Sequence, residues 1–270
     1  MKFLSRRAFA IAIIASSAVV PLAVTAQTQG PIKIGLLTID SGPFATHAAL
    51  VESGARAAVD ILNSEGGADG RKFELVVQSH SGSPAAALAA ATRLVQQSGV
   101  KMITGQLLSS HSLLLAPKLE ALNVLLIDPY SQSNDLMTKS CSPNYFRVST
   151  PDAVTTRMMQ DYVKSTSAKS WNLISMDYAS GQSFAKSFSE LARGMGGGVE
   201  QSLFSPTGTT DFGSYISQLS KPADGLVITL FTSDAVTFAK QAKQFGLFEK
   251  YKNVIGNGFA TDYSLDAMGD

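Results

Sequence analysis

Hydroxyl-bearing side chains gather at two points of the chain, Ser109-Ser110 and Tyr130-Ser131-Gln132-Ser133. Each cluster follows a short apolar run, Val100–Gly105 and Val124–Asp128 respectively. A hydroxyl both donates and accepts, and the unpaired amides where a strand feeds a helix carry a partial positive charge. Two such clusters suit the capture of a carboxylate head group. The competing reading is that Ser109 caps its own helix, and spacing alone favours the cap.

Bond-breaking chemistry finds little support. The chain has no G-x-S-x-G elbow and no phosphate-binding G-x-x-x-x-G-K-[ST] loop. The glycines of "GMGGGVE" (194–200) follow a predicted helix and precede a predicted strand, the reverse of a dinucleotide fingerprint. His47, His80 and His111 fall on three different strand-to-helix connections, and none has a His or Cys partner at ligand spacing. "DGRK" and "GADG" lack the carboxylate series of a calcium loop. No metal, cofactor or catalytic group is therefore expected. Cys141 is the single cysteine, so no internal disulfide forms, and a free buried thiol is expected. Asp40 reads as a turn carboxylate.

The elements that must position these residues alternate regularly. "IKIGLLTI" (32–39) reads as a strand buried on both faces. A helix is predicted over 44–64, a loop over 65–72, a strand over 73–79, and a helix from Ser83-Pro84 to Ser98 with serine as cap. Strands at 100–105 and 124–127 follow; Pro117 should kink the helix between them or delay its regular part. After "YFRV" (145–148) the scheme restarts. Thr150-Pro151-Asp152 is read as a cap with proline just inside the helix, and helices are predicted over 152–165, 182–193, 211–220 and 234–245. Strands are predicted at 171–176, 199–204, 225–230 and 253–256. This alternation implies parallel sheets flanked by helices, in two α/β lobes over 27–148 and 149–256, joined by short crossings near 147–151 and 256–259.

Composition agrees with a globular chain. It is 45% hydrophobic and 16% charged with net charge +1, which gives no basic footprint for nucleic acid. Residues 1–26 differ. Lys2, Arg6 and Arg7 precede an uncharged apolar stretch, and "AVTA" offers small residues before a cut after Ala26. That is the pattern of a cleavable export signal, by the general or the twin-arginine route, leaving a mature chain without a membrane span.

An ordered series carries a resemblance: "IKIGLLTIDSGPFA", "GARAAVDILNSEGGADGRKFELVVQ", "ITGQLLSSHSLLLAPKLEALNVLLI", "NYFRVSTPD", "DYASGQSFAKSF" and "TDFGSYISQLSKPADGLVI". Together they resemble the type I periplasmic solute-binding proteins of the branched-chain amino acid ABC transporter group. The resemblance implies two Rossmann-like lobes closing on one small solute, no catalysis, a periplasmic location, a monomer, and delivery to an ABC permease with ATPase subunits. It also implies that a hydroxyl after the third strand (Ser109, beside Ser110) and groups after the fourth (Tyr130, Ser131, Gln132) hold the solute's head group. His47, Tyr178 and Phe231 fall at or near its aromatic contact positions, although the second-lobe position itself falls on Ser180.

The chain departs from that pattern. Gln132 stands where the family often has Thr. No acid occurs near Asn257 and Gly258, where the family's partner for a ligand ammonium would fall, and Asp262 is out of register. An amino acid is thus one expected solute; an aromatic carboxylate or small amide without an ammonium fits as well. A periplasmic sensing module and an exported α/β hydrolase are the further alternatives. Residues 257–270 are expected to begin a return crossing to the first lobe whose remainder, the C-terminal part of the fold, is missing.

Overall fold

The structure is a computed structural model that describes residues 30–269; the predicted export signal lies outside them. The first lobe comprises β1 (Ile32–Ile39), α1 (Ala45–Ser64), β2 (Phe73–His80), α2 (Pro84–Ser98), β3 (Met102–Thr104), α3 (Ser109–Leu115), α4 (Leu119–Leu122), β4 (Leu125–Asp128) and β5 (Tyr145–Arg147). Its strands pair in parallel in the order β2-β1-β3-β4-β5. The second lobe comprises α5 (Asp152–Met158), α6 (Gln160–Thr166), β6 (Ser170–Met176), α7 (Ala179–Gly194), β7 (Gly198–Ser205), α8 (Gly213–Leu219), β8 (Gly225–Thr229), α9 (Thr232–Gln244) and β9 (Asn253–Gly256), followed by α10 (Asp262–Met268). Its sheet is also parallel, in the order β7-β6-β8-β9.

Local chemistry explains most boundaries. Ser83 Oγ accepts from the Ala86 amide at 3.2 Å with Pro84 at the first helical position, and Gly99 ends α2 in the left-handed region at φ +69. Pro117 lacks an N–H, and there the predicted single helix breaks: α3 passes through a 3₁₀ turn at Ala116–Lys118 into α4. The helix predicted over 152–165 likewise divides at Met159. Pro151 is extended and sits at the N-cap of α5 rather than inside it. α7 starts earlier than expected, at Ala179, and Gly181 in its first turn lies against the end of β6, where a Cβ would stand 2.0 Å from the Met176 carbonyl oxygen.

Each lobe has its own core. Leu37, Leu94, Ile103, Leu115 and Leu126 fill the first; Trp171, Leu173, Phe184, Phe188 and Val227 fill the second. A third buried cluster crosses between lobes, joining Ile39, Phe44, Leu107 and Leu108 to Met176, Phe212, Ile228 and Phe238. Several apolar side chains of the first lobe stand exposed, among them Leu50 and Ile61 on α1, Phe146 on β5, and Val148. Cys141 corrects an expectation: it is exposed, not buried. It lies in the irregular stretch before β5, beside Pro143, where no helix or strand face covers it. No helix among the described residues is long and apolar enough to cross a membrane.

Candidate functional site

Both sheets present their strand carboxyl ends to a cavity between the lobes. Its volume is about 360 Å³, within the range of small-molecule sites. The first lobe contributes Phe44 and His47 after β1, Leu107 and Leu108 after β3, and Pro129, Tyr130 and Gln132 after β4. Ser149 comes from the connection between lobes. The second lobe contributes Tyr178 after β6, Phe231 and Thr232 after β8, and Gly258 and Thr261 after β9. Position at strand ends is the general rule for ligands of open parallel sheets. No Asp, Glu, Lys or Arg is among the lining residues.

The loop after β4 is braced from beneath. Asp128 is fully buried, and its Oδ1 accepts from the Tyr130 amide at 3.0 Å and the Ser131 amide at 2.9 Å. Its Oδ2 accepts from Tyr145 Oη at 3.1 Å and from Ser112 Oγ, which also contacts Ser131 Oγ at 2.9 Å. Ser109 Oγ accepts from the Gln132 amide at 3.0 Å and the Ser133 amide at 3.1 Å. Ser109 therefore caps neither its own helix, whose N-cap is Leu108, nor lines the cavity; it ties the start of α3 to the β4 loop. Ser109 and Ser131 are buried beneath the wall that Tyr130 and Gln132 form, and Ser110 is partly exposed away from it.

The structure thus gathers His47, Tyr130, Gln132, Tyr178 and Phe231 around one cavity and leaves Ser109, Ser110 and Ser131 outside its lining. Two edge-to-face aromatic pairs shape the walls, His47 with Tyr130 at 4.9 Å between centroids and Tyr178 with Phe231 at 6.5 Å. Burial lowers the His47 pKa below its ordinary value and raises that of the Tyr178 phenol, so both are neutral near pH 7. The Phe231 ring lies over Gly258: a Cβ there would stand 2.2 Å from Phe231 Cε1, and Gly258 has φ +63. Asp262 is exposed on α10 and does not line the cavity.

Beyond the cavity the lobes are pinned by polar contacts. Asn134 donates its amide to Ser183 Oγ at 3.1 Å and its Nδ2 to Ser187 Oγ at 3.0 Å, and its Oδ1 accepts from the Ala153 amide at 3.0 Å. The Asp152 amide donates to the Gln132 carbonyl at 2.9 Å. The buried Asp152 carboxylate accepts from Ser180 Oγ at 3.1 Å. Its pKa is pushed up to about 6 by burial, against the opposing pull of the Ser183 and Ser180 hydroxyls and of Arg147. Ser180 is thus committed to Asp152, and Tyr178 supplies the second-lobe aromatic wall.

Sequence reasoning passed over Phe44, Leu107, Leu108, Ser149, Thr232 and Thr261 as lining residues. Their signal was present only in part: each follows a strand or stands in a crossing, but nothing in residue type distinguishes a cavity wall from core.

Residues 31–270 match the periplasmic binding protein family. A Leu/Ile/Val-binding protein homolog of Brucella melitensis is 29% identical over 221 residues, covering 81% of this chain and 57% of its own. A branched-chain amino acid transporter substrate-binding protein of Streptococcus pneumoniae, solved with isoleucine, is 27% identical with a TM-score of 0.76, covering 88% of this chain and 68% of that one. A solute-binding protein of an ABC transporter from R. palustris, solved with 4-hydroxybenzoate, shares the fold at a TM-score of 0.80 and 24% identity, over 89% of this chain and 65% of that one. The chain spans little more than half the length of the Brucella relative. With its paired parallel sheets, the cavity at their carboxyl ends and a family match over nearly all described residues, the chain belongs to the periplasmic binding protein family, in its type I, branched-chain amino acid group.

Proposed function

We propose that the chain is the solute-capturing component of an ABC importer, exported to the periplasm, closing its lobes on a small carboxylate-bearing solute and handing it to a membrane permease. The observation that carries this reading is the inter-lobe cavity, walled by aromatic and aliphatic side chains with no charged side chain facing it. The cavity treats opposite charges unequally. A buried carboxylate can take a hydrogen bond from the Gln132 side-chain amide, and it can draw a proton onto His47, restoring an opposite charge beside it. A buried ammonium finds no carboxylate to pair with, and burying an unpaired charge is costly. The walls therefore favour an apolar, preferably aromatic, carboxylate over a zwitterionic amino acid. The 4-hydroxybenzoate held by the R. palustris protein has this chemistry.

A branched-chain amino acid is the second reading, favoured by the aliphatic side chains of Leu107 and Leu108 in the wall and by the relatives' names. A thermal-shift comparison of benzoate, 4-hydroxybenzoate, leucine and isoleucine tests both. A bound solute at a hundred times its Kd adds about 2.7 kcal/mol, which raises the midpoint of a chain this size by roughly 5–10 °C. A shift with the benzoates alone supports the first reading, and a shift with the amino acids alone replaces it with the second.

A further inference from the structure

Pro43 stands in the turn after β1 of the first lobe, and Gly208 in the exposed loop after β7 of the second. Neither lines the cavity. They meet across the cleft: a Cβ at Gly208, where φ is +84, would stand 3.3 Å from Pro43 Cγ and 3.9 Å from its Cδ. Sheet order sets this meeting point away from the crossing. β5 leads into the connection between the lobes, β1 is separated from it by β4 and β3, and β7 is the edge strand opposite β9. A swing of the lobes about the crossing moves that side of the cleft farthest.

The Gly208 loop is held from behind by α9. Buried Asp234, in the first turn of that helix, accepts from the Gly208 amide at 2.8 Å through Oδ2. Farther along, Gln241 fixes the other end of the loop: its Oε1 accepts from the Phe212 amide at 2.7 Å, and its Nε2 donates to the Thr210 carbonyl at 3.0 Å. Residues 234 and 241 are two helical turns apart and so share one face of α9. The same helix begins at the cavity. Phe231 is its N-cap and lines the wall, and Thr232 follows at φ +54. A β-branched residue in the left-handed region is an outlier that persists only where neighbouring structure imposes it. Here the turn is fixed on one side by the Phe231 ring over Gly258 and on the other by Asp234. Aromatic wall, strained turn and rim loop are thus one braced unit.

We propose that Pro43 and Gly208 form a closure contact at the rim of the cleft: the lobes shut on a solute only because position 208 carries no side chain, and Asp234 and Gln241 are the positioning residues that hold the loop against Pro43. A solute that draws Phe231 toward the first lobe brings Gly208 onto Pro43 with it. This rests on the solute-capture reading of the cavity, whichever of the two solute classes it takes.

The test is a double-mutant cycle of Gly208→Ala and Pro43→Ala, read as affinity for benzoate and isoleucine and as the melting midpoint of the unliganded chain. Gly208→Ala should lower the midpoint, because alanine is strained in the left-handed region. It should also weaken binding by about tenfold, the result of a tenfold smaller closed population. Adding Pro43→Ala removes the ring that the new Cβ meets, so the double variant should regain most of the affinity and none of the midpoint. Strain alone would not produce that split. Pro43→Trp brings bulk to the same contact from the first lobe, and should weaken binding with the midpoint nearly unchanged. In Gln241→Ala the loop can yield, so adding Gly208→Ala should cost less affinity there than in the native chain. Unchanged affinity in Gly208→Ala and Pro43→Trp, or additive effects on affinity in the cycle, would overturn the closure contact alone. An equal cost in the Gln241→Ala background would overturn the positioning role. Binding of neither probe by the native chain would overturn the capture reading and the closure contact together.

Discussion

Ser109→Ala separates a solute contact from a structural brace. If Ser109 held a carboxylate, its loss would weaken binding and leave the unliganded fold almost unchanged. The structure predicts the opposite order of effects. Ser109 Oγ is the acceptor for two backbone amides, those of Gln132 and Ser133, and Ser109 is 1% exposed while Ser133 is 2% exposed. Alanine leaves both amides without their acceptor. An unsatisfied buried donor costs about 1–3 kcal/mol, so two amount to about 2–6 kcal/mol before any water enters. For a chain of this size that lowers the melting midpoint by roughly 5–15 °C. The assay is urea or thermal unfolding of the unliganded chain, followed by calorimetric titration at a temperature where the variant is folded. Binding should weaken as well, because Gln132 lines the cavity and its backbone is released. An unchanged midpoint with lost affinity would refute the brace and restore Ser109 as a direct contact.

Two further variants probe the hinge-side contacts and the wall. Asp152 has its pKa raised to about 6 from an ordinary 3.8, so the native state binds its proton more tightly than the unfolded state between those values. Its contribution is then most favourable below about pH 3.8 and is lost as pH rises through about 6, a change of about 3 kcal/mol at 1.36 kcal/mol per unit. Denaturant titrations should show Asp152→Asn gaining that much relative to the native chain between pH 3.5 and pH 7.5; a pH-independent difference would contradict it. His111 acts in the reverse sense, its pKa lowered by burial to about 4, so its contribution is present above about pH 6.5 and lost as pH falls through 4. The native profile should therefore be flatter than that of Asp152→Asn. Gly258→Glu should fail to create an amino acid site: at φ +63 and 2.2 Å from Phe231 Cε1 the new Cβ displaces the ring. Lower stability and weaker benzoate binding are expected; isoleucine binding gained with the midpoint unchanged would contradict the wall as described.

The fold was largely legible because its signals are local. Alternating strands and helices, Ser83-Pro84, and the break at Pro117 each follow from residue type and spacing. Pro151 was harder, since proline suits both an N-cap in extended backbone and the first helical turn. The site was legible by place and less so by side chain. The two hydroxyl clusters do meet, but through Ser109 Oγ bonding the β4 loop rather than through a common surface in the cavity. Nothing in spacing tells a serine that faces a solute from one that holds the loop facing it. Asp128 was read only as a strand end, although it organises that loop. The left-handed backbone of Thr232 has no sequence signal, because threonine rarely adopts it. Cys141 misled because free cysteines are usually buried.

The most direct test of the central claim is isothermal titration of benzoate and of isoleucine into the chain at pH 7. An inter-lobe cavity without an acid to pair an ammonium predicts saturable one-to-one binding of benzoate and no detectable heat from isoleucine at the same concentration. Saturable binding of isoleucine with none of benzoate would contradict it.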